Sequence, residues 1–188
     1  MNKSAHVYRW LLLTTLLLLE VVACKPASTV FLDSGPLVPA KVVKVIDGDT
    51  IEVRMGDSDY LITYLGIDAP ETLGNAKPGD ILGDGSFAAK ASQRNKELVG
   101  GQTVYLERDV SETDGRDGLL RYVWLEDGKM VNSVLVAEGY ARAASLPPDT
   151  LYADQLLELE QGARRNRLGL WALIPEEESK TEPNHGSQ

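Results

Sequence analysis

The sequence predicts a small closed β-barrel with helices packed outside it, and three observations carry that prediction. Apolar residues recur at period two in short runs, as at Val43 and Val45 and again at Ile51 and Val53. Asp-Gly and Gly-Asp pairs separate these runs where tight turns would fall. The elements follow one another as three strands, a helix, two strands and further helices, an order that suits a barrel with helices on its surface.

The first strand ends at the Asp47-Gly48 turn and the second at Gly56-Asp57; Tyr60 to Ile67 then reads as a third strand. Residues 72–85 are rich in Gly, Asp and Pro and read as a long loop. Ser86 to Val99 has helical composition and stops at Gly100-Gly101. Thr103 to Glu107 makes the fourth strand, and Leu120 to Leu125 the fifth, closed by Asp127-Gly128. Val131 to Glu138 is a short helix ended by Gly139, and Leu151 to Arg165 a longer one.

At 188 residues the chain holds one domain with appendages. A single cysteine excludes an internal disulfide and a cysteine-based zinc site. The two histidines, His6 and His185, lie near the chain ends. If both ends sit outside the fold, Ser-His-Asp and Cys-His mechanisms and histidine-held zinc are excluded together. Chemistry must then run on carboxylates, Lys, Arg, Tyr, Ser or Thr, or on a metal with oxygen ligands.

Residues 1–23 read as a signal peptide: Lys3 and Arg9, then an apolar stretch from Trp10 to Leu19, too short to be read as a membrane span. Val21-Val22-Ala23 before Cys24 resembles a bacterial lipobox, so Cys24 is expected to carry lipid. The mature protein would be extracytoplasmic, anchored to the bacterial cell membrane but not spanning it; ordinary cleavage and secretion is the other reading. Residues 24–39 then form a tether, 40–174 the folded domain and 175–188 an acidic disordered tail. The formal net charge of −9 repels polyphosphate at long range, so any nucleic-acid contact must rest on a local patch or a bound cation.

Two acidic clusters end neighbouring strands: Asp47-Gly48-Asp49-Thr50 and Asp68-Ala69-Pro70-Glu71. Asp47 and Asp49 point to one side if the chain is extended. If strands one and three converge, Asp49, Asp68 and Glu71 meet, and three carboxylates so close require a cation. Oxygen ligands suit a hard ion, Ca²⁺ before Mg²⁺, with a backbone carbonyl such as that of Ala69 completing the shell. Taken by spacing alone, Asp-Gly is equally turn chemistry and Asp-Ala-Pro-Glu an ordinary loop.

Residues 45–50 (Val-Ile-Asp-Gly-Asp-Thr), 65–71 (Leu-Gly-Ile-Asp-Ala-Pro-Glu) and 119–123 (Leu-Leu-Arg-Tyr-Val) occur in order. Residues 127–132 (Asp-Gly-Lys-Met-Val-Asn), 135–141 and Gly169-Leu170-Trp171 follow. Together they resemble the staphylococcal (thermo)nuclease family over roughly residues 40–174. The resemblance implies an OB-fold with a five-stranded barrel and about three packed helices, a Ca²⁺ site, and hydrolysis of DNA and RNA phosphodiesters. By the same resemblance Asp49, Asp68 and the Ala69 carbonyl are calcium ligands. Glu71 positions or deprotonates the attacking water, and Asp47 is an accessory acid.

The pattern also breaks. The resemblance implies arginines on the phosphate at two positions, which here are Thr63 and Gly118. Arg116 stands where a tyrosine is expected, and Leu146 replaces a tyrosine before Pro147-Pro148-Asp149. Phosphoryl transfer depends on donors and positive charge set against developing negative charge, and a placed arginine contributes about 10³–10⁵ in rate. The expectation is a nuclease lineage with activity lost or severely reduced, leaving a monomeric OB-fold module that binds single-stranded DNA or RNA weakly. The alternatives are an active phosphodiesterase in which Arg116 replaces a lost arginine, and an inert barrel on a lipid tether. Arg121, Trp124, Trp171, Tyr122 and Tyr140 are expected to pack, and Arg164-Arg165-Asn166-Arg167 to form a solvated helix end.

Overall fold

The computed structural model describes residues 36–70, 86–115 and 118–173. Cys24, Glu71, Arg116 and the terminal segments lie outside these residues.

Among the described residues, five strands close into the expected OB-fold barrel. They are β1 (Val38–Val45), β2 (Thr50–Met55), β3 (Ser58–Tyr64), β5 (Thr103–Glu107) and β6 (Gly118–Trp124), in the order β1-β2-β3-β6-β5. All pairings are antiparallel except β3 with β6, and β5 closes back onto β1. Alternation points Ile51, Val53, Ile62, Tyr64, Val104 and Leu106 inward, where each is at most 2% exposed. The helices α1 (Ser86–Val99), α2 (Val131–Ala137) and α3 (Ala153–Arg165) are those expected, α1 with the same bounds.

Several boundaries shift by one or two residues, and three local differences matter for the site and the surface. β1 opens two residues early, taking in Val38 and Pro39 from the expected tether, because β5 supplies a second partner along that stretch. The third strand breaks after Tyr64: Gly66 turns at φ +74, and Ile67–Asp68 become a separate strand, β4. β4 pairs with β7 (Arg142–Ala143), setting Asp68 opposite Arg142 in a small sheet outside the barrel. β1 also carries a bulge between Val42 and Lys44, which leaves Val43 and Lys44 both facing solvent.

Buried polar groups hold the helices in place. Asn132, fully buried, donates to the Leu65 carbonyl (2.8 Å) and accepts from the Val123 N–H (2.9 Å), tying α2 to two strand ends. Glu107, 1% exposed, accepts from Trp124 Nε1 (2.7 Å) and from the Tyr152 hydroxyl (3.1 Å). Gly139 and Gly169 both have positive φ and bring their backbones together, with Leu170 N–H donating to the Gly139 carbonyl at 2.9 Å. That contact seats Leu170 and Trp171 in a second cluster with Phe87 and Ala163. The Pro147–Pro148 bond is cis.

Candidate nuclease site

The acidic segment leaving β1 is a closed turn, as the Asp47-Gly48 pair predicts, so the condition under which Asp47 and Asp49 would project side by side is not met. Asp49 N–H donates to Asp47 Oδ1 (3.1 Å), an Asx-type bond that bends the chain and prevents simple side-by-side projection of the two acids. Gly48 is buried at the bend. A Cβ there would lie 2.6 Å from Ala69 Cβ and 3.0 Å from Ala91 Cβ, so only glycine admits both β4's end and α1. α1 also anchors the turn through a polar relay: Asn95 Nδ2 donates to the Asp47 carbonyl (3.0 Å), and Tyr64 OH donates to Asn95 Oδ1 (2.9 Å). Asn95 is fully buried, and burial pushes the Tyr64 hydroxyl's pKa upward.

The two acidic segments do converge. Ala69 N–H donates to Asp49 Oδ2 at 2.7 Å, bringing residues 20 apart in sequence into direct contact. Burial pushes the Asp49 carboxyl up to about 7, against the Ala69 hydrogen bond, with the negative charges of Asp47 and Asp68 adding to the rise. Asp68 itself is exposed. Thus Asp47, Asp49 and Asp68 share one electrostatic neighbourhood, while Glu71 lies outside the described residues. No group of three or more His, Cys, Asp or Glu side chains forms a metal cage among the described residues. The donor set nevertheless fits a hard cation: it is all oxygen, and burial and like charge disfavour the charged form of its central carboxylate, a penalty that a bound cation would offset.

Beside this turn lies a cluster of polar groups. Thr50 pairs with Thr63 across β2 and β3, so Thr63 sits one register step from Asp49. Thr63 Oγ1 donates to Asp114 Oδ2 (3.4 Å), and Gly118 N–H donates to Asp114 Oδ1 (3.3 Å). A Cβ on Gly118 would lie 2.6 Å from Asp114 Oδ2 and 2.8 Å from Thr63 Oγ1. The two positions singled out from the sequence are therefore neighbours, and a carboxylate fills the space between them.

Residues 61–173 match the family model described as staphylococcal nuclease homologue. This chain belongs to the staphylococcal nuclease family. It is 38% identical over 138 residues to the SPbeta prophage-derived endonuclease YokF of Bacillus subtilis, covering 72% of this chain and 45% of that protein. It is likewise 38% identical over 138 residues to endonuclease YncB of the same organism, covering 63% of it. The chain thus spans less than two thirds of the length of these two relatives. With the thermonuclease of Staphylococcus hyicus it shares 33% identity over 172 residues, 85% of this chain and 98% of that one.

In this nuclease-family domain several arginines are committed outside the Thr63–Gly118 pocket. Arg54 pairs with Asp59 (2.7 Å), Arg94 with Glu138 (2.6 Å) and Arg108 with Glu112 (2.9 Å). Arg121 is held by Glu112 and by the Glu112 and Leu120 carbonyls, the packing role expected for it. Arg142, opposite Asp68 in register, lies 5.9 Å from the Trp171 ring centroid. Arg164 covers the same ring at 3.9 Å and pairs with Glu160, so it belongs to the fold rather than to a solvated face.

Sequence reasoning missed Asn95 and Asp114. Asp114 lies two residues before Arg116, and its spacing of four to Gly118 was the available signal. Asn95 stands on a helix with nothing in its own neighbourhood to mark it.

Proposed function

We propose that this domain retains the calcium side of nuclease chemistry and has lost the phosphate side. In this reading Asp49, Asp68 and the Ala69 carbonyl hold Ca²⁺, with Asp47 as an accessory acid and Glu71 directed at water. Bound Ca²⁺ would supply positive charge to a phosphate oxygen and to its attacking water. The chain's own contribution is to fix the acids: Ala69 N–H and Thr50 Oγ1 hold the two oxygens of Asp49, at 2.7 and 3.2 Å.

The observation that carries the reading is the Asp114 carboxylate between Thr63 and Gly118. Where transition-state charge needs a guanidinium, the described residues here supply a neutral hydroxyl, a backbone N–H and an acid. Hydrolysis of phosphodiesters is therefore lost or severely reduced, and the OB-fold barrel remains as a monomeric single-stranded DNA or RNA binding module. Similarity to two endonucleases and a thermonuclease supports the nucleic-acid assignment. The chain is extracytoplasmic and held at the bacterial membrane by lipid on Cys24, with residues 1–23 as signal, 24–39 as tether and 175–188 as acidic tail.

Digestion of heat-denatured DNA by the purified chain, with Ca²⁺ and with chelator, tests this. Turnover at least about 10³-fold below an intact relative is expected, and turnover within tenfold of it would overturn the reading. In that event Arg116, which follows Gly115 and lies two residues before Gly118, is the substitute phosphate ligand, and Arg116→Ala should remove the activity.

A further inference from the structure

A groove of about 470 Å³ runs between the bulge of β1 and the C-terminal end of α1, bordered by Val43, Lys44, Lys96, Gly100 and Gly101. Lys41 lies alongside it, its ammonium donating to the Gly101 carbonyl. The bulge turns both Val43 and Lys44 outward, and Val43 remains 47% exposed at the groove. Two features would weaken an anion here. The last carbonyls of α1 are partially negative, but those of Lys96 and Val99 already accept from the Gly100 and Gln102 N–H groups. Glu52 stands opposite Lys44 in register, but the two form no ion pair within 4.0 Å.

Arg54, Arg94, Arg108, Arg121, Lys129 and Arg164 are each paired with a carboxylate. Lys44 and Lys96 form no such pair among the described residues, and they border the same groove. In a chain of net charge −9, two uncompensated ammonium groups facing one groove form a local positive site against an acidic background. The groove is built on the same two elements that hold the acidic turn: Lys44 lies three residues before Asp47 in sequence, and Lys96 follows Asn95, which holds the Asp47 carbonyl.

We infer that this groove docks the sugar–phosphate backbone of single-stranded nucleic acid, with Lys44 and Lys96 each neutralising a phosphate. Val43 offers an apolar surface for a sugar or base face. The strand then approaches the Asp47–Asp49 turn from its α1 side, bypassing the pocket that Asp114 fills. This lies on β1 and α1, away from the strand-2 and strand-3 face by which OB-folds hold oligonucleotides. The inference rests on the nucleic-acid-binding reading above.

The test is fluorescence anisotropy of labelled single-stranded oligothymidylate with the full-length chain over a salt series, comparing wild type, Lys44→Ala/Lys96→Ala, and a control with the same charge loss, Lys90→Ala/Lys129→Ala. Loss of two phosphate contacts should lower the magnitude of the log K versus log [salt] slope by about 1.4 and weaken binding about 25-fold at roughly 0.1 M salt. The control should retain the wild-type slope. Equal loss in both variants overturns the proposal, because net charge alone then accounts for it. Unchanged binding in the groove variant also overturns it while leaving the nucleic-acid reading intact. No binding by the wild-type chain removes both. If the groove variant instead loses only binding to phosphatidylglycerol vesicles, the patch is a membrane contact and the inference falls. Unchanged melting temperatures show that the exposed substitutions leave the fold intact.

Discussion

Replacing Asp49 with asparagine should stabilise the ion-free protein, although Asp49 stands at the centre of the candidate metal site. Its carboxyl is pushed up from 3.8 to about 7, chiefly by burial. The folded state therefore keeps a proton that the unfolded state releases, so stability falls as pH rises from about 4 to about 7 and is level above that. Three units correspond to an upper value of about 4 kcal/mol; partial solvent access reduces this to about 2 kcal/mol. Asparagine removes the charge and keeps an acceptor for the Ala69 N–H, now a neutral bond and weaker by about 1 kcal/mol. The net gain is about 1 kcal/mol, or roughly 3–8 °C in melting temperature. Thermal unfolding in chelator should show this rise for Asp49→Asn at pH 8 and almost none at pH 4. Millimolar Ca²⁺ should raise the wild-type melting temperature and leave the variant unmoved. A variant that melts lower than wild type at pH 8 in chelator would refute the reasoning, since the carboxylate would then be favourably held without an ion.

Three further outcomes are expected. Thr63→Arg/Gly118→Arg should raise Ca²⁺-dependent DNA hydrolysis by about 10³-fold or more, and adding Asp114→Asn should raise it again by freeing the new guanidinium from the carboxylate 2.6 Å from its Cβ site; a triple variant as slow as the parent sinks the pocket explanation. Asn132→Ala should cost about 2–4 kcal/mol in urea unfolding, because the Leu65 carbonyl and Val123 N–H lose a buried partner, and a loss below about 1 kcal/mol would show that water replaces the side chain. Cys24→Ala should move the protein from the membrane to the soluble fraction on cell fractionation, and persistence in the membrane would contradict lipid anchoring.

The barrel was legible because its strands obey a period that burial enforces: Ile51, Val53, Ile62, Val104 and Leu106 alternate in the chain as they do across the barrel wall. The helix bounds were legible where punctuation is local, as at Gly100-Gly101. The β4–β7 pair was not, because two residues carry no periodicity and their partners lie some 75 positions apart. For the site, the meeting of the Asp49 and Asp68 segments followed from the order of elements. Neither the bent acidic turn nor Asp114 lying against Thr63 followed from it. Both depend on hydrogen bonds that register and loop closure set only once the barrel exists. Glu107 is similar: its neutral donors, Trp124 and Tyr152, lie 17 and 45 positions further along the chain.

The small β4–β7 sheet gives the final third of the chain leverage over one acid. Asp68 is aligned by Arg142; Ala143 N–H is gripped by Glu160 of α3 (3.0 Å), and Glu160 is clasped by Arg164, whose guanidinium lies on Trp171. A shortened chain ending before α3 could close the same barrel yet leave Asp68 unmoored. Cation affinity would fade ahead of barrel integrity, and damage far from any acid would look like a faulty ligand.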